Sequence, residues 1–299
     1  MFFAVLLVGA MSGQGRAQAP GYKVYAIRFA GMAHPTPISM WSDKGPDTDS
    51  VQIDFSIWLI RGDNGKNILV DAGFRRDIPE AKEFDVVNYI RPDSVLAKVG
   101  LNPGDITDII LSHPHWDHID GVGLFPNAHI WIQKEDYGYF VGAAWRSDST
   151  SGGFDKRDVR MMVELNMARR VTLVDGDDQE IIPGITVYTG SRHTYNSQYV
   201  VVRAEDGAVR TGDAAVRAGA KNIVLASDNI WIYYSLDHMV PAAAGGTLDP
   251  AGYVRAMRRM KTLASSPKYI IPGHDAKVYT MFPPVTKGGV KLDGVVQIE

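Results

Sequence analysis

The stretch LSHPHWDHIDG, residues 111–121, contains three histidines and two aspartates, in a chain that has only eight histidines in 299 residues. In an extended segment side chains alternate, so His113 and His115 point to the same side. A tight turn after them brings Asp117 and His118 to a neighbouring point. Neutral imidazoles and carboxylates are the ligands that borderline divalent cations prefer. The stretch therefore predicts the first half of a metal site.

Further ligand residues follow three later apolar strands. His193 lies in ITVYTGSRHTYNSQ, Asp213 in VRTGDAA, and His274 in YIIPGHD. A single histidine or a Gly-Asp pair is more often structural than a ligand. Together, and in this order after the histidine cluster, the three residues predict a second half of the same site. Ligands that project from strand ends are held on a rigid edge.

The overall composition excludes several functional classes. The chain has no cysteine, which removes disulfides, cysteine nucleophiles and thiolate metal ligands. Its net charge of −3 gives no basic footprint for nucleic acid. An apolar content of 45% with 22% charged residues is ordinary for a globular protein. We therefore expect a small-molecule substrate and no nucleic-acid partner.

The N-terminus is typical of a secretory signal. A short apolar run, MFFAVLLVGAM, is followed by small residues that end in Ala17-Gln18-Ala19, an A-x-A cleavage pattern. We predict a signal peptide at residues 1–19 and a periplasmic or secreted protein, with no stable membrane span after its removal. An uncleaved anchor or a misassigned start codon are the alternatives, since no basic residue precedes the apolar run.

Residues 20–299 are predicted to form one α/β domain. Strand patterns dominate both halves of the chain, and each half ends with helices, which favours two sheets packed face to face with helices outside. DPAGYVRAMRRMKTLASS is predicted to be a helix capped by Asp249, and the tail from Pro283 is predicted to be irregular. Residues 141–170 are expected to form an insertion or cap near the site, or a plain surface excursion.

These motifs, taken together over roughly residues 50–280, resemble the metallo-β-lactamase superfamily. The resemblance implies an αββα four-layer sandwich and a site for two divalent metal ions, zinc first, with iron, cobalt or manganese as alternatives. It also implies that Asp71, in ILVDAG, orients a ligand. The ligand set it implies is His113, His115 and His193 for the first metal, Asp117, His118 and His274 for the second, and Asp213 as the bridge.

The chemistry that follows from this resemblance is metal-dependent hydrolysis. Two cations that share a water lower its pKa towards neutrality and supply a bridging hydroxide as the nucleophile. Asp117 is expected to take part in proton transfer to the leaving group. No side-chain nucleophile is needed.

Within the superfamily, residues 112–136, SHPHWDHIDGVGLFPNAHIWIQKED, are most similar to N-acyl-homoserine lactonases. The implied function is opening of the lactone ring of these signals, known as quorum quenching, by an enzyme that is often a homodimer. Another metallohydrolase, such as a β-lactamase-like amidase, a thioesterase or an esterase, is the main alternative. A non-catalytic metal-binding protein is the third.

The substrate-orienting residue departs from the lactonase pattern. Many lactonases carry a tyrosine three residues after the bridging aspartate, and with Asp213 in that role the position is Val216. Tyr195, two residues after His193, is predicted to take this catalytic role, with Tyr233 and Tyr234 as further candidates. Asp228, Trp116, Trp58 and Trp231 are candidates to line the pocket, with core packing favoured for Trp58 and Trp231.

Overall fold

The computed structural model describes residues 20–147, 152–204, 209–211, 214–216 and 219–299, with the backbone alone described in the two three-residue ranges. The strands are β1 Tyr22–Met32, β2 Thr36–Pro37, β3 Ser50–Val51, β4 Asp54–Gly62, β5 Asn67–Val70, β6 Val86–Val87, β7 Asp108–Ile110, β8 His129–Gln133, β9 Val171–Val174, β10 Gln179–Ile182, β11 Ile185–Thr189, β12 Gln198–Ala204, β13 Val209–Thr211, β14 Ala214–Val216, β15 Lys221–Ser227, β16 Ile270–Pro272, β17 Pro284–Lys287 and β18 Val290–Gln297. The α-helices are α1 Pro92–Val95, α2 Trp116–Ile119, α3 Lys134–Val141, α4 Lys156–Met167, α5 Tyr233–His238, α6 Pro250–Leu263 and α7 Val278–Met281.

Two large sheets organise these strands. The first sheet has the order β17-β18-β1-β4-β5-β7-β8-β9, with β6 paired to β1, and the second has the order β10-β11-β12-β15-β16. Strands β5, β7, β8 and β9 run parallel to one another, as do β15 and β16, whereas the other pairs within the two sheets are antiparallel. Parallel strands need both faces covered, which explains their continuous apolar sequences.

An apolar layer joins the two sheets face to face. Trp58 and Ile110 of the first sheet belong to the same buried cluster as Val200 and Leu225 of the second, and each is at most 1% exposed. Burial of each such side chain contributes about 1.5–3 kcal/mol relative to exposure. Trp58 therefore packs in the core, as predicted.

Helices cover both outer faces. The outer face of the first sheet packs against α2 and α3, whose Ile119 and Phe140 are fully buried in one cluster. The second sheet packs against α6, which buries Tyr253 and Met257. The result is the predicted αββα sandwich in a single domain.

Helix α6 begins where the sequence predicts. The carboxylate of Asp249 accepts the backbone N–H of Gly252 at 2.8 Å, and Pro250 occupies the first helical position. Proline fits there because that N–H has no partner within the helix.

The prediction for the C-terminal tail was wrong. Strands β17 and β18 form a hairpin, and Ala26 of β1 pairs with Val296 of β18. Gly288 and Gly289 adopt φ values of +58° and +82°, which form the turn between the two strands. The strand pattern is weak because this edge of the sheet is largely exposed.

Among the described residues, we find no helix with the length and apolar character that a bilayer crossing requires.

The topology brings several strand ends to one edge of the sandwich. Strands β5 and β7 are in register at Val70 and Ile110, so Asp71 and the segment from Ser112 leave the first sheet together. Strands β15 and β16 are in register at Ser227 and Pro272 in the second sheet. Asp228 and His274 therefore emerge beside each other, facing the end of β7.

Candidate metal centre

Three histidines form one group of possible ligands. His113 and His115 lie in the extended segment after β7, and His193 lies in the loop between β11 and β12. One nitrogen of each lies within 4.8 Å of the others, and His115 Nδ1 is 2.9 Å from His193 Nε2. Tetrahedral bonds of 2.0–2.1 Å to zinc place ligand atoms about 3.3 Å apart, so this spacing suits one cation.

Two aspartates and two histidines form the second group, Asp117, His118, Asp228 and His274. His118 Nε2 lies 3.3 Å from Asp117 Oδ2, and His274 Nε2 lies 3.5 Å from the same oxygen. The turn of α2 brings Asp117 and His118 next to the segment after β7, as the sequence predicts.

The carboxylate of Asp228 lies between the two groups. Its Oδ1 is 3.0 Å from His274 Nε2 and 3.3 Å from His118 Nε2. Its Oδ2 is 3.4 Å from His193 Nε2 and 3.9 Å from His113 Nε2. One oxygen therefore faces each group, which is the arrangement of a bridging ligand.

Within the described residues, the carboxylate between the two groups belongs to a residue that was not predicted as a ligand. Asp213, predicted as the bridge, is outside the described residues. Asp228 was predicted only to line the pocket. The overlooked signal is NIVLASD, an apolar strand that ends in an aspartate 46 residues before His274. Because β15 pairs with β16, that aspartate lies beside His274.

Hydrogen bonds at the opposite nitrogens fix the ring orientations. His118 Nδ1 lies 2.8 Å from Asp71 Oδ2, and His113 Nδ1 lies 2.8 Å from the Ser112 hydroxyl. His193 Nδ1 donates to the Gly246 carbonyl at 2.8 Å. Such partners set the tautomer and leave the other nitrogen free for a metal. Asp71 thus occupies the place that the sequence predicts for a ligand-orienting residue.

Buried polar atoms point into the space between the two groups. His113 Nε2, His118 Nε2 and Asp228 Oδ1 make no hydrogen bond within the described residues, although the last two are 3.3 Å apart. Orphaned buried polar atoms are costly unless a partner satisfies them. Nitrogen and carboxylate donors at this spacing fit two divalent cations.

The charge state of the first group also suits a cation. Burial lowers the pKa of His115 to about 3, and it lowers the pKa of His113 well below the usual value, with neighbouring histidines adding to both shifts. These imidazoles are neutral at pH 7, which is the form that binds a metal. Burial alone would raise the pKa of Asp228, but His274 and His118 hold it well below the usual value, so the carboxylate is ionised.

A cavity of about 550 Å³ opens over these ligands. His115, Asp117, His193, Asp228 and His274 contribute to its floor. The walls are mainly apolar and aromatic and include Trp41, Ile53, Phe55, Phe84, Trp116, Tyr139, Phe154, Tyr195, Trp231 and Leu248. Trp116 lines the pocket, as predicted, and Trp231 lines it too, although core packing was the favoured prediction for Trp231.

The tyrosine candidates separate into two places. Tyr195 lies at the cavity, with 42% of its surface exposed, and its ring stacks on Tyr139 at 4.8 Å. Tyr233 and Tyr234 line a different cavity and do not line the one over the ligands. The backbone N–H of Tyr233 donates to Asp275, so that this aspartate braces the loop after His274.

Part of the segment 141–170 contacts the site. Gly153 and Phe154 line the cavity, and the Phe154 ring lies 5.4 Å from the His115 ring. The Gly153 carbonyl accepts the backbone N–H of Trp116 at 2.8 Å. Residues 148–151 of this segment are outside the described ranges.

Comparison with known proteins agrees with this geometry. The Metallo-beta-lactamase superfamily profile matches residues 56–274, most of the chain. The chain belongs to the metallo-beta-lactamase superfamily. The ligand groups described above fall within that match or at its end, His274.

Several superfamily members with similar sequences or folds are lactonases. The N-acyl homoserine lactonase AttM of Azorhizobium caulinodans is 26% identical over 189 residues, which cover 62% of this chain and 64% of that protein. The chain thus spans just under two thirds of the length of this relative. A solved N-acyl homoserine lactone hydrolase with N-hexanoyl-L-homoserine at its catalytic metal centre has a TM-score of 0.66 at 20% identity, covering 92% of this chain and 100% of that one.

A second solved structure is AidC, a dizinc quorum-quenching lactonase in complex with a product, with a TM-score of 0.58 at 18% identity over 94% of this chain and 95% of that chain. At these identities, the likeness of both solved structures shows a shared fold.

Proposed function

We propose that this protein is a dinuclear metal-dependent hydrolase that opens the lactone ring of N-acyl-homoserine lactones. The observation that carries the proposal is the Asp228 carboxylate between two ligand groups at the floor of an apolar cavity. The lactonase names of its relatives and structural neighbours support the same substrate class.

Two divalent cations fit the residues present, and zinc suits the nitrogen-rich donor set. His113, His115 and His193 would hold the first ion, and Asp117, His118 and His274 the second. We propose Asp228 as the bridge in place of Asp213. When bound, such a pair of ions supplies a nucleophilic water at neutral pH and polarises the carbonyl group.

The chain's own residues orient the substrate and handle the proton. Ring opening adds one water. The carbonyl carbon of the lactone ring gains an oxygen, the bond from that carbon to the ring oxygen breaks, and the ring oxygen takes a proton. Asp117 lines the cavity, and the nearby His118 and His274 lower its pKa despite burial. The carboxylate is therefore ionised at neutral pH, and from its place at the cavity it would accept a proton from the water and pass it to the leaving oxygen.

The cavity walls favour a neutral acyl substrate. No lysine or arginine is among the described lining residues, so no cationic side chain there would pair with the carboxylates of a glutathione thioester or a β-lactam. Apolar aromatic walls suit an acyl chain. We propose that Tyr195, at the mouth, orients the substrate, and Tyr195→Phe is expected to raise KM or lower kcat at unchanged metal content.

Proton release at constant pH tests the proposed reaction. The zinc-loaded protein would be given a short and a long acyl-homoserine lactone, a glutathione thioester and a β-lactam in parallel. Chelator-sensitive acid release with the lactones is expected, because each opened ring yields one carboxylic acid. Release with the thioester or the β-lactam alone would refute the lactonase assignment.

A matched pair of variants tests the proposed bridge. Asp228→Asn should lower metal content from two ions per chain to one or fewer and abolish turnover, because both groups lose a shared ligand. Asp213→Asn should keep both ions. Metal analysis after dialysis decides between them, and the opposite result would return the bridge to Asp213.

We also propose that the protein is exported to the periplasm or medium. The N-terminal sequence pattern supports this proposal, and residues 1–19 themselves lie outside the described residues. Cell fractionation followed by N-terminal sequencing tests this. Export predicts a mature protein that begins near residue 20.

A further inference from the structure

Trp231 contacts the candidate bridging carboxylate directly. Its indole Nε1–H donates to Asp228 Oδ2 at 2.8 Å. This is the oxygen that faces His193 and His113. Trp231 lies three residues after Asp228, where the lactonase pattern has a tyrosine if Asp228 is the bridge.

The indole is held in place from several sides. Its ring packs edge-on against Trp41, with centroids 5.6 Å apart, and against His193, with centroids 5.5 Å apart. A Cβ added at Gly246 would lie 2.4 Å from the indole, which shows how closely the backbone approaches the ring. Gly246 in turn accepts the Nδ1–H of His193.

The backbone of Trp231 is tied to the same centre. Its carbonyl accepts the N–H of His274 at 3.0 Å, and its own N–H donates to the Tyr253 hydroxyl at 3.1 Å. Trp231 therefore contacts residues of both ligand groups. Tyr253 belongs to α6 and is fully buried, which gives this arrangement a rigid support.

A hydrogen bond to a carboxylate oxygen has two consequences. It fixes the plane of the carboxylate, because each oxygen has two lone pairs and the indole occupies one on Oδ2. It also withdraws electron density from that oxygen, so that a cation on the three-histidine side keeps more of its positive charge. Nε1 is the only polar atom of the Trp231 side chain, and because its N–H donates to Asp228 it is not available to bind substrate.

We propose that Trp231 is a positioning residue that holds the Asp228 carboxylate in its bridging orientation and tunes the cation bound by His113, His115 and His193. This inference rests on the dinuclear site of the proposed function, but it does not depend on the identity of the substrate.

Cobalt binding to the full-length protein tests the proposal without turnover. Trp231→Phe keeps an aromatic ring and removes the donor. Loss of such an outer hydrogen bond typically lowers metal affinity by about 10–100-fold, so we expect a weakening of this size in a chelator competition, together with a shift of the visible Co²⁺ bands.

Trp41→Phe is the matched control. Trp41 lines the same cavity and packs on the same indole, but its Nε1–H donates to Thr36 Oγ1 at 2.7 Å and not to a ligand. This variant should bind cobalt with unchanged affinity and spectrum. Wild-type cobalt binding by Trp231→Phe, or an equal loss in both variants, would overturn the proposal.

A second measurement keeps the proposal testable if Trp231→Phe does not fold. Benzothienylalanine at position 231 replaces only the N–H by sulfur and should give the same loss of affinity. In ¹⁵N-indole spectra of the wild-type protein, one indole N–H signal should shift when zinc is added, and unchanged indole signals would contradict the contact. If lactones are not hydrolysed but these effects are seen, the substrate assignment fails and the role of Trp231 stands.

Discussion

Gly153 is the position where one added methyl group should separate fold stability from metal binding. Its φ is +79°, and a Cβ built there would lie 2.6 Å from His115 Cδ2 and 2.9 Å from His115 Nε2. Carbon atoms pack best at about 3.5–4.0 Å. In Gly153→Ala, the His115 ring or the loop must therefore move by about 0.9 Å or more.

Two costs follow from this substitution, and they act on different properties. A left-handed backbone conformation costs an L-residue about 1–2 kcal/mol, which should appear in the free energy of unfolding. The ring displacement exceeds the tolerance of about 0.5 Å that a preorganised site allows. We expect a loss of metal affinity of about tenfold or more, equivalent to about 1.4 kcal/mol per factor of ten.

Gly65→Ala is the matched control. Gly65 has a φ of +82°, and nothing lies within 4 Å of an added Cβ. Both variants should lose stability in urea unfolding of the metal-free proteins, Gly153→Ala at least as much as Gly65→Ala, but only Gly153→Ala should bind zinc weakly and lose kcat/KM. Full zinc affinity in Gly153→Ala, or an equal loss in Gly65→Ala, would refute this reasoning.

Three further predictions concern the surroundings of the centre. Asp71→Asn should weaken metal binding by about 10–100-fold, because an amide group cannot accept hydrogen bonds from Ser112, Ser227 and His118 together. A zinc competition assay measures this loss, and unchanged zinc affinity would contradict the role of Asp71. Burial raises the pKa of Asp136 to about 6, although Thr194 and Asn196 donate to it. The folded protein therefore holds this proton to a higher pH than the unfolded chain does. As the pH rises from 4 to above 6, the free energy of unfolding of the wild-type protein should fall by up to about 3 kcal/mol relative to Asp136→Asn. Urea unfolding at pH 4 and above pH 6 checks this, and a pH-independent difference between the two proteins would refute it. Chelation should abolish turnover and lower the Tm, and zinc or cobalt should restore both. The Tm falls because a ligand at 1,000 times its Kd stabilises the folded state by about 4 kcal/mol. An unchanged Tm would argue against a structural contribution of the metal.

The histidine cluster could be predicted because its candidate ligands are neighbours in sequence. His113, His115, Asp117 and His118 are placed by one strand end and one short helix, so local geometry is enough. His193 and His274 were found because each follows an apolar strand. The family resemblance supplied their order, and the alternating strand patterns supplied the two sheets.

Asp228 could not be distinguished from Asp213 by the same reasoning. Both aspartates follow apolar segments between His193 and His274. The difference lies in strand pairing among the described residues: β15 runs parallel to β16, which is followed by His274, whereas β13 pairs with β14. Pairing between distant strands is a tertiary property that single-strand patterns do not encode. The C-terminal hairpin was missed for a related reason, since an exposed edge strand lacks a strong apolar pattern.

The crossing between the two sheets divides the ligands in a useful way. The chain leaves the first sheet at the end of β9, Val174, and enters the second at the start of β10, Gln179. The piece before this crossing carries His113, His115, Asp117 and His118, and the piece after it carries His193, Asp228 and His274. Neither piece holds all the candidate ligands for either of the two proposed ions. If the backbone were cut at residue 176, reassembly of the two fragments should depend on added metal, which would turn the fold into a split reporter of divalent cations.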